Sequence, residues 1–360
     1  MGFFRKIGFL SAFILPALVI LGYYGGGAWN LLSIAFVFLL VPAIDYLTGL
    51  DTRNVPEELK PMVGEEYYYR FVTYAWAFIQ FGFIGWTVYI FAGRSLGLFE
   101  WITFTIGVGL VTGGIGITVA HELGHKKSNI EKFYSQALLM TVCYMHFFIE
   151  HNRGHHVNVA TPNDPATASK GQDAYRFWWQ SVLGSWSHAW TLEKERLARL
   201  NLSPSGFHNR MLVYTLLPIL FCALLTVISS QIAGRWVWEF PVFFIAQSLV
   251  AISLLELVNY IEHYGMLRHE ISPGHYERVN PLHSWNSSHR VSNFFLFQLQ
   301  RHSDHHYHAS KRYQVLDHFE ESPQLPFGYP TMILVALVPP LWFRLIDPRL
   351  VAWQKNTVVA

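Results

Sequence analysis

Polar and apolar positions separate along this chain into long blocks. Six of them, residues 7–25, 29–49, 69–92, 98–119, 211–231 and 236–258, stay apolar for about twenty positions, the length a helix needs to cross the hydrocarbon of a bilayer. Short connections join the first block to the second through Gly25, Gly26 and Gly27, the third to the fourth near Arg94, and the fifth to the sixth from Ser229 to Arg235. The longer connections hold nearly all the basic residues, among them Arg53, Lys60, Arg70, Lys126, Lys127, Lys132, Arg153, Lys194, Arg196 and Arg199. The positive-inside bias places those connections and both termini in the cytoplasm. The expected architecture is an all-α integral membrane protein: one domain, 1–360, with six transmembrane helices and a cytoplasmic cap built from segments 120–210 and 259–328.

Three stretches test that count. The first block follows Arg5 and Lys6 but is long enough to span, and no small-x-small site follows it, so it reads as a helix and not as a cleaved leader. Residues 133–149 are apolar but short, and a crossing there would put the histidines on either side of it on opposite faces of the membrane. A re-entrant or surface helix is expected instead. The stretch 329–346, interrupted by Pro339 and Pro340, is expected at the interface in the same way.

Composition agrees. Hydrophobic residues make up 52% and charged residues 14% of the 360 positions, against about a quarter charged in soluble domains. A net charge of +2 gives no reason to expect a nucleic-acid partner. The two cysteines, Cys143 and Cys222, lie in apolar stretches and form no C-x-x-C pair, so any electrons must come from another protein.

Chemistry concentrates in histidine. All eighteen lie between His121 and His318, with His121 and His125 in HELGH, His151, His155 and His156 in EHNRGHH, His302, His305 and His306 in RHSDHH, and His263 in NYIEHYG. Neutral imidazole is the commonest side-chain ligand for transition metals, and a spacing of three or four residues brings two rings to one helix face. The fourth block runs without a breaker to His121 and the sixth to His263, so these groups cap the helix bundle. Gly109, Gly113, Gly114 and Gly116 in the fourth block read as close helix packing ahead of a substrate groove. Glu256, a charge inside a span and on the same helix face as His263, is expected to hold a ligand imidazole. Asp45 reads as a helix-end charge reaching the headgroups.

Three readings compete. HELGH alone fits a zinc metalloprotease with Glu122 as base, but that leaves the histidine doublets and His263 unused. A metal transporter would place ligands near the bilayer midplane, and the blocks contain no histidine. A site holding two metal ions at the membrane surface uses every group, and iron suits it, since zinc has no redox state to offer.

The spacings H-x3-H, H-x3-HH and H-x2-HH resemble the histidine boxes of the membrane fatty-acid desaturase and hydroxylase superfamily. The longer strings HELGHK, EHNRGHHVNVATPNDPA, NYIEHYG and LQRHSDHHYHASKRYQ narrow the resemblance to the alkane 1-monooxygenase family. It implies terminal hydroxylation of medium- to long-chain n-alkanes with O2 at two non-haem Fe ions in a bacterial inner membrane. Electrons would pass from NADH through rubredoxin reductase and a separate rubredoxin. A related hydroxylase or desaturase acting on another hydrocarbon or acyl chain is the alternative. The implied ligands are His121, His125, His151, His155, His156, His263, His302, His305 and His306. Glu122, Glu150, Glu262 and Asp304 are expected to orient ligand N–H groups or to serve as ordinary ion-pair acids, with Asp164 a similar case. His283, His289 and the other histidines are expected to be structural. Lys126, Arg153, Arg301, Lys311 and Arg312 are placed there by the positive-inside bias alone or, as the second reading, attract an acidic donor. Trp76, Trp86 and Trp101 are expected to pack or to limit the depth of a substrate pocket.

Overall fold

The computed structural model describes residues 3–358, and their regular structure is almost all helix. Six helices among them are long and apolar enough to cross a membrane: α1 (Arg5–Gly25), α2 (Gly27–Thr48), α3 (Tyr67–Gly93), α4 (Leu98–Gly124), α8 (Arg210–Ala233) and α9 (Glu239–His263). The protein is a multi-pass membrane protein, and the six helices match the six apolar blocks. Two of them overrun their blocks, because α4 continues to Gly124 and α9 to His263, carrying histidines at their C-terminal ends.

Between α4 and α8 lie α5 (Asn129–Met140), α6 (Phe147–Glu150, continuing through His151–His155 to Asn158) and α7 (Ala174–Arg199). The apolar stretch 133–149 does not cross: α5 stops at a tight turn where Cys143 takes φ 55° and the chain doubles back into α6. After α9 come a small hairpin, β1 (Glu270–Ser272) and β2 (His275–Tyr276), then α10 (Arg290–Phe295), α11 (His302–Tyr307), α12 (Tyr329–Ala336) and α13 (Pro339–Val358). A 119° bend separates α12 from α13 at the break before Pro339, where the prolines remove two backbone donors.

The bundle is centred on α4, whose most apolar window is 83% buried against 22% for α2. Its contact with α9 depends on glycine. A Cβ at Gly113 would stand 2.5 Å from Ala251 Cα, and one at Gly109 2.5 Å from Val250 Cβ, so the two backbones approach as larger residues would forbid. Buried amides lock the pair: Thr112 donates to Gln247 Oε1 at 2.7 Å, and Gln247 donates to Thr141 O at 2.9 Å. From Leu110 to Ile117 α4 widens into a π-helix.

Polar ties fix the cap. Asp45 does not reach toward headgroups; it is buried and accepts from the backbone N–H groups of Val291 (2.7 Å) and Ser292 (3.2 Å), holding the start of α10 against α2. The buried Arg301 guanidinium donates to Leu316 O (2.6 Å) and Asp51 O (2.8 Å), anchoring the segment that enters α11.

Candidate metal centre

The nine histidines expected as ligands converge at one end of the bundle, and they do so as two groups. His121, His125, His151, His156 and His305 form one; His155, His263, His302 and His306 form the other, and within each the ligand nitrogens lie within 4.8 Å of one another. Facing nitrogens are close: His151 Nε2 is 3.1 Å from both His125 Nε2 and His156 Nε2, and His305 Nε2 is 3.1 Å from His156 Nε2. In the second group His302 Nε2 lies 3.1 Å from His263 Nε2 and 2.9 Å from His306 Nε2, with His155 Nε2 3.3 Å from His306.

Separations of this size match the edge between neighbouring ligands when metal–nitrogen bonds are about 2.1 Å. Burial holds the imidazoles of His125, His151, His156, His302, His305 and His306 well below the ordinary histidine pKa, with neighbouring imidazoles adding to the effect. They are therefore neutral, the form that binds a metal. His121 Nε2 is buried with no hydrogen-bond partner among the described residues, which is costly unless something else accepts its lone pair. The residues fit two metal ions.

Local backbone geometry sorts the histidines. On a regular helix His151 and His155 would share a face. The π turn at His151–His155 adds one residue to that turn, aligning His151 with His156 and sending His155 to the other group. On α11, His302 and His306 are four apart and point together, and His305 points away.

The acids behave individually. Asp164 is the one that holds a ligand ring from behind: its Oδ2 lies 3.0 Å from His155 Nδ1, and it also accepts from Thr167 Oγ1 at 2.6 Å and Ala166 N at 3.1 Å. The Asp164 carboxylate accepts from His155 Nδ1 and so holds the ring proton there, which leaves the Nε2 lone pair to a metal. Glu262 is buried and accepts from Tyr329 OH at 2.7 Å, and its Oε2 lies 3.1 Å from His302 Nε2. That contact is on the nitrogen facing the other ligands, so the carboxylate stands beside the ligand atoms and not behind the ring.

The remaining acids hold other partners. Glu122 pairs with Lys126 at 2.9 Å and accepts from Tyr313 N at 3.3 Å. Glu150 takes His188 Nδ1 at 3.1 Å. Asp304 binds Lys311 (2.6 Å) and Asp317 N (2.7 Å), closing the loop after α11. Glu256, expected behind His263, instead accepts from Tyr144 OH at 2.7 Å and Asn259 Nδ2 at 3.2 Å; His263 Nδ1 has no partner among the described residues. His283 hydrogen-bonds with Glu277, and His289 with Ser287, away from the site.

Contacts also place the basic residues and the tryptophans. Of the five cations near the site, Lys126, Lys311 and Arg312 are ion-paired, the last to Glu131 at 2.9 Å, and Arg301 is buried; Arg153 is exposed. An apolar cavity descends from the histidines, reaching His121, His151, His302 and Glu262 at its upper end, and Trp76, Trp86 and Trp101 are absent from its wall. Trp76 is buried and bonds Gln80 Oε1 at 2.9 Å, and Trp86 packs on Tyr23 and Phe83.

Comparison with known proteins gives the same direction. Residues 95–336 match the family model described as Fatty acid desaturase. The chain is similar to alkane 1-monooxygenase 2 of Alcanivorax borkumensis, 39% identical over 360 residues that cover 98% of this chain and 92% of the relative. It is similar to alkane 1-monooxygenase 2 of Pseudomonas aeruginosa, 42% identical over 335 residues that cover 91% and 86% of the two chains. At 25% identity over 347 residues it also resembles the xylene/toluene monooxygenase hydroxylase component of Pseudomonas putida, covering 95% and 88%.

Proposed function

The chain belongs to the alkane 1-monooxygenase family and is an alkane hydroxylase; on that premise we propose that it oxidises the terminal carbon of medium- to long-chain n-alkanes with O2, using two non-haem iron ions held by the nine histidines. The observation that carries this reading is the apolar cavity whose upper end is made of His121, His151 and His302. A methyl group rising in that cavity meets the ligand cluster first, and its walls offer no competing polar group along most of their length. Iron held by the nine histidines would supply the redox chemistry for activating O2, one oxygen atom ending in the alkanol and the other, with two electrons and two protons from outside, in water.

The chain's own residues position and exclude. Leu254, Leu255, Phe295 and Leu299 line the cavity and keep water from the reacting methyl. Asp164 fixes the tautomer of His155. Electrons are proposed to come from NADH through rubredoxin reductase and a separate rubredoxin at the cytoplasmic face of a bacterial inner membrane. A groove that includes His125 is lined by Lys127, Lys132, Arg153 and Arg210, and of these Lys127, Arg153 and Arg210 are exposed. An acidic donor docking there would reach the first histidine group through the half-buried His125.

The test is product formation from octane under heavy-isotope O2, using membranes containing this chain with rubredoxin, its reductase and NADH. Labelled 1-octanol from the wild type and none from His302→Ala is expected. Unlabelled product, or full activity in His302→Ala, refutes the proposal.

A further inference from the structure

The cavity below the histidines has a length that can be read from α4. Its wall on that helix runs from His121 through Thr118 and Gly114 to Leu110, and Leu15 of α1 and Val37 of α2 also line it. His121 to Leu110 is roughly 16 Å at about 1.5 Å per residue. An extended hydrocarbon advances about 1.3 Å per carbon, from bonds of about 1.5 Å in staggered rotamers. The cavity thus takes a chain of about twelve carbons, methyl first.

One residue stands across that path. From Gly107 to Gly124 every residue of α4 is buried except Gly114, which is half-buried and lines the cavity. The glycines around it are required by packing: a Cβ at Gly109 or Gly113 would collide with α9, and one at Gly116 with Gln80. A Cβ at Gly114 would meet nothing within 4 Å. Packing therefore does not demand glycine there, and the space a side chain would fill is the cavity itself. Gly114 lies in the π-helical stretch, about 10 Å below His121 by the same rise, level with about the eighth carbon of a bound chain.

We propose that Gly114 sets the upper chain length of the substrate by leaving open the deepest third of the cavity, between Gly114 and the floor at Leu110 and Leu15. The proposal rests on the alkane-hydroxylase reading and deepens it to a hydrocarbon of about twelve carbons. Each methylene kept out of the cavity costs roughly fourfold in binding. A side chain at Gly114 that displaces about four carbons therefore acts far more on long chains than on short ones.

The experiment supplies membranes with an equimolar mixture of hexane, octane, dodecane and tetradecane, rubredoxin, its reductase and NADH, and measures the ratio of 1-dodecanol to 1-hexanol. The series Gly114→Ala, Gly114→Val and Gly114→Phe should lower that ratio in step with side-chain volume, by at least about tenfold for Phe. Leu110→Ala, which deepens the floor, should raise the ratio of 1-tetradecanol to 1-hexanol. If Gly114→Phe does not accumulate, Gly114→Val decides by the same ratio. Alkanols formed with ratios unmoved across the series, or lost equally at every length, overturn the proposal alone. A wild type that forms no alkanol overturns the functional reading and this proposal with it.

Discussion

Asp164 offers a perturbation whose size can be worked from the structure. Its carboxylate is buried, lies 3.0 Å from His155 Nδ1 and takes Thr167 Oγ1 at 2.6 Å. Asp164→Asn keeps the shape and one acceptor oxygen but loses the charge that holds the His155 proton. Removing such a partner behind a metal-bound histidine weakens metal affinity about 10- to 100-fold, which is about 1.4–2.7 kcal/mol. Asp164→Ala adds a stability cost, because His155 Nδ1, Thr167 Oγ1 and Ala166 N lose their acceptor in a buried loop, at about 1–3 kcal/mol for each group left unpaired. The assay is bound iron per chain against increasing chelator in purified protein, alongside thermal unfolding. Asn should shift the iron-release midpoint by about tenfold and, with one donor left unpaired, weaken unfolding by about 1–3 kcal/mol, and Ala should weaken unfolding further. Superimposable chelator curves for wild type and Asp164→Ala would refute the reasoning, since they would mean that His155 binds no metal or needs no support.

Three more outcomes follow from the same contacts. Glu122→Gln leaves the buried Lys126 ammonium without its carboxylate, so unfolding should weaken by about 3–5 kcal/mol while hydroxylation per folded molecule falls only partly; complete loss of turnover in a fully folded, iron-loaded protein would point to Glu122 as a catalytic base. Asp317 is bound by Lys60 and Lys311, each at 2.5 Å, which together hold its carboxyl below the ordinary value although burial opposes them; a depressed folded value means stability present above about pH 4 and lost on acidification, so amide exchange at residues 308–318 should accelerate as pH falls through that range, and Asp317→Asn should abolish the dependence. Gly113→Ala places a Cβ 2.5 Å from Ala251 Cα and should cost about 1–3 kcal/mol in thermal unfolding, whereas Gly114→Ala at the open neighbouring position should cost little.

The spans and the histidine cluster were legible for different reasons. A bilayer-crossing helix must be apolar for about twenty residues, and that constraint is written directly into blocks such as 98–119 and 236–258. Imidazole pairs are equally direct, because nothing else explains His155 and His156 beside His151. Their division into five and four was hidden, since it depends on a π turn at His151–His155 that no residue spacing announces. Local reading also misled where an acid had a remote partner: Asp45 caps α10, some 246 residues away in the chain, and Glu256 holds Tyr144. Asp164 looked no different from Glu150 in sequence, and only the loop that follows α6 turns it onto His155. The Trp-rich helix α7 gave no apolar block because charged and polar residues interrupt it throughout.

Both α4 and α9 deliver a histidine of the cluster at their C-terminal ends, His121 one turn before Gly124 and His263 as the last residue. A helix C-terminus carries about half a negative charge. Nine neutral imidazoles carry none, so two divalent ions would bring a formal charge of about +4 into a buried cap. The two helix ends, with Asp164 and Glu262 close by, offset only part of it. Such a shortfall in negative charge would penalise each further positive charge on bound metals. If the ions are iron as proposed, such a cap would hold the reduced pair more readily than the oxidised one.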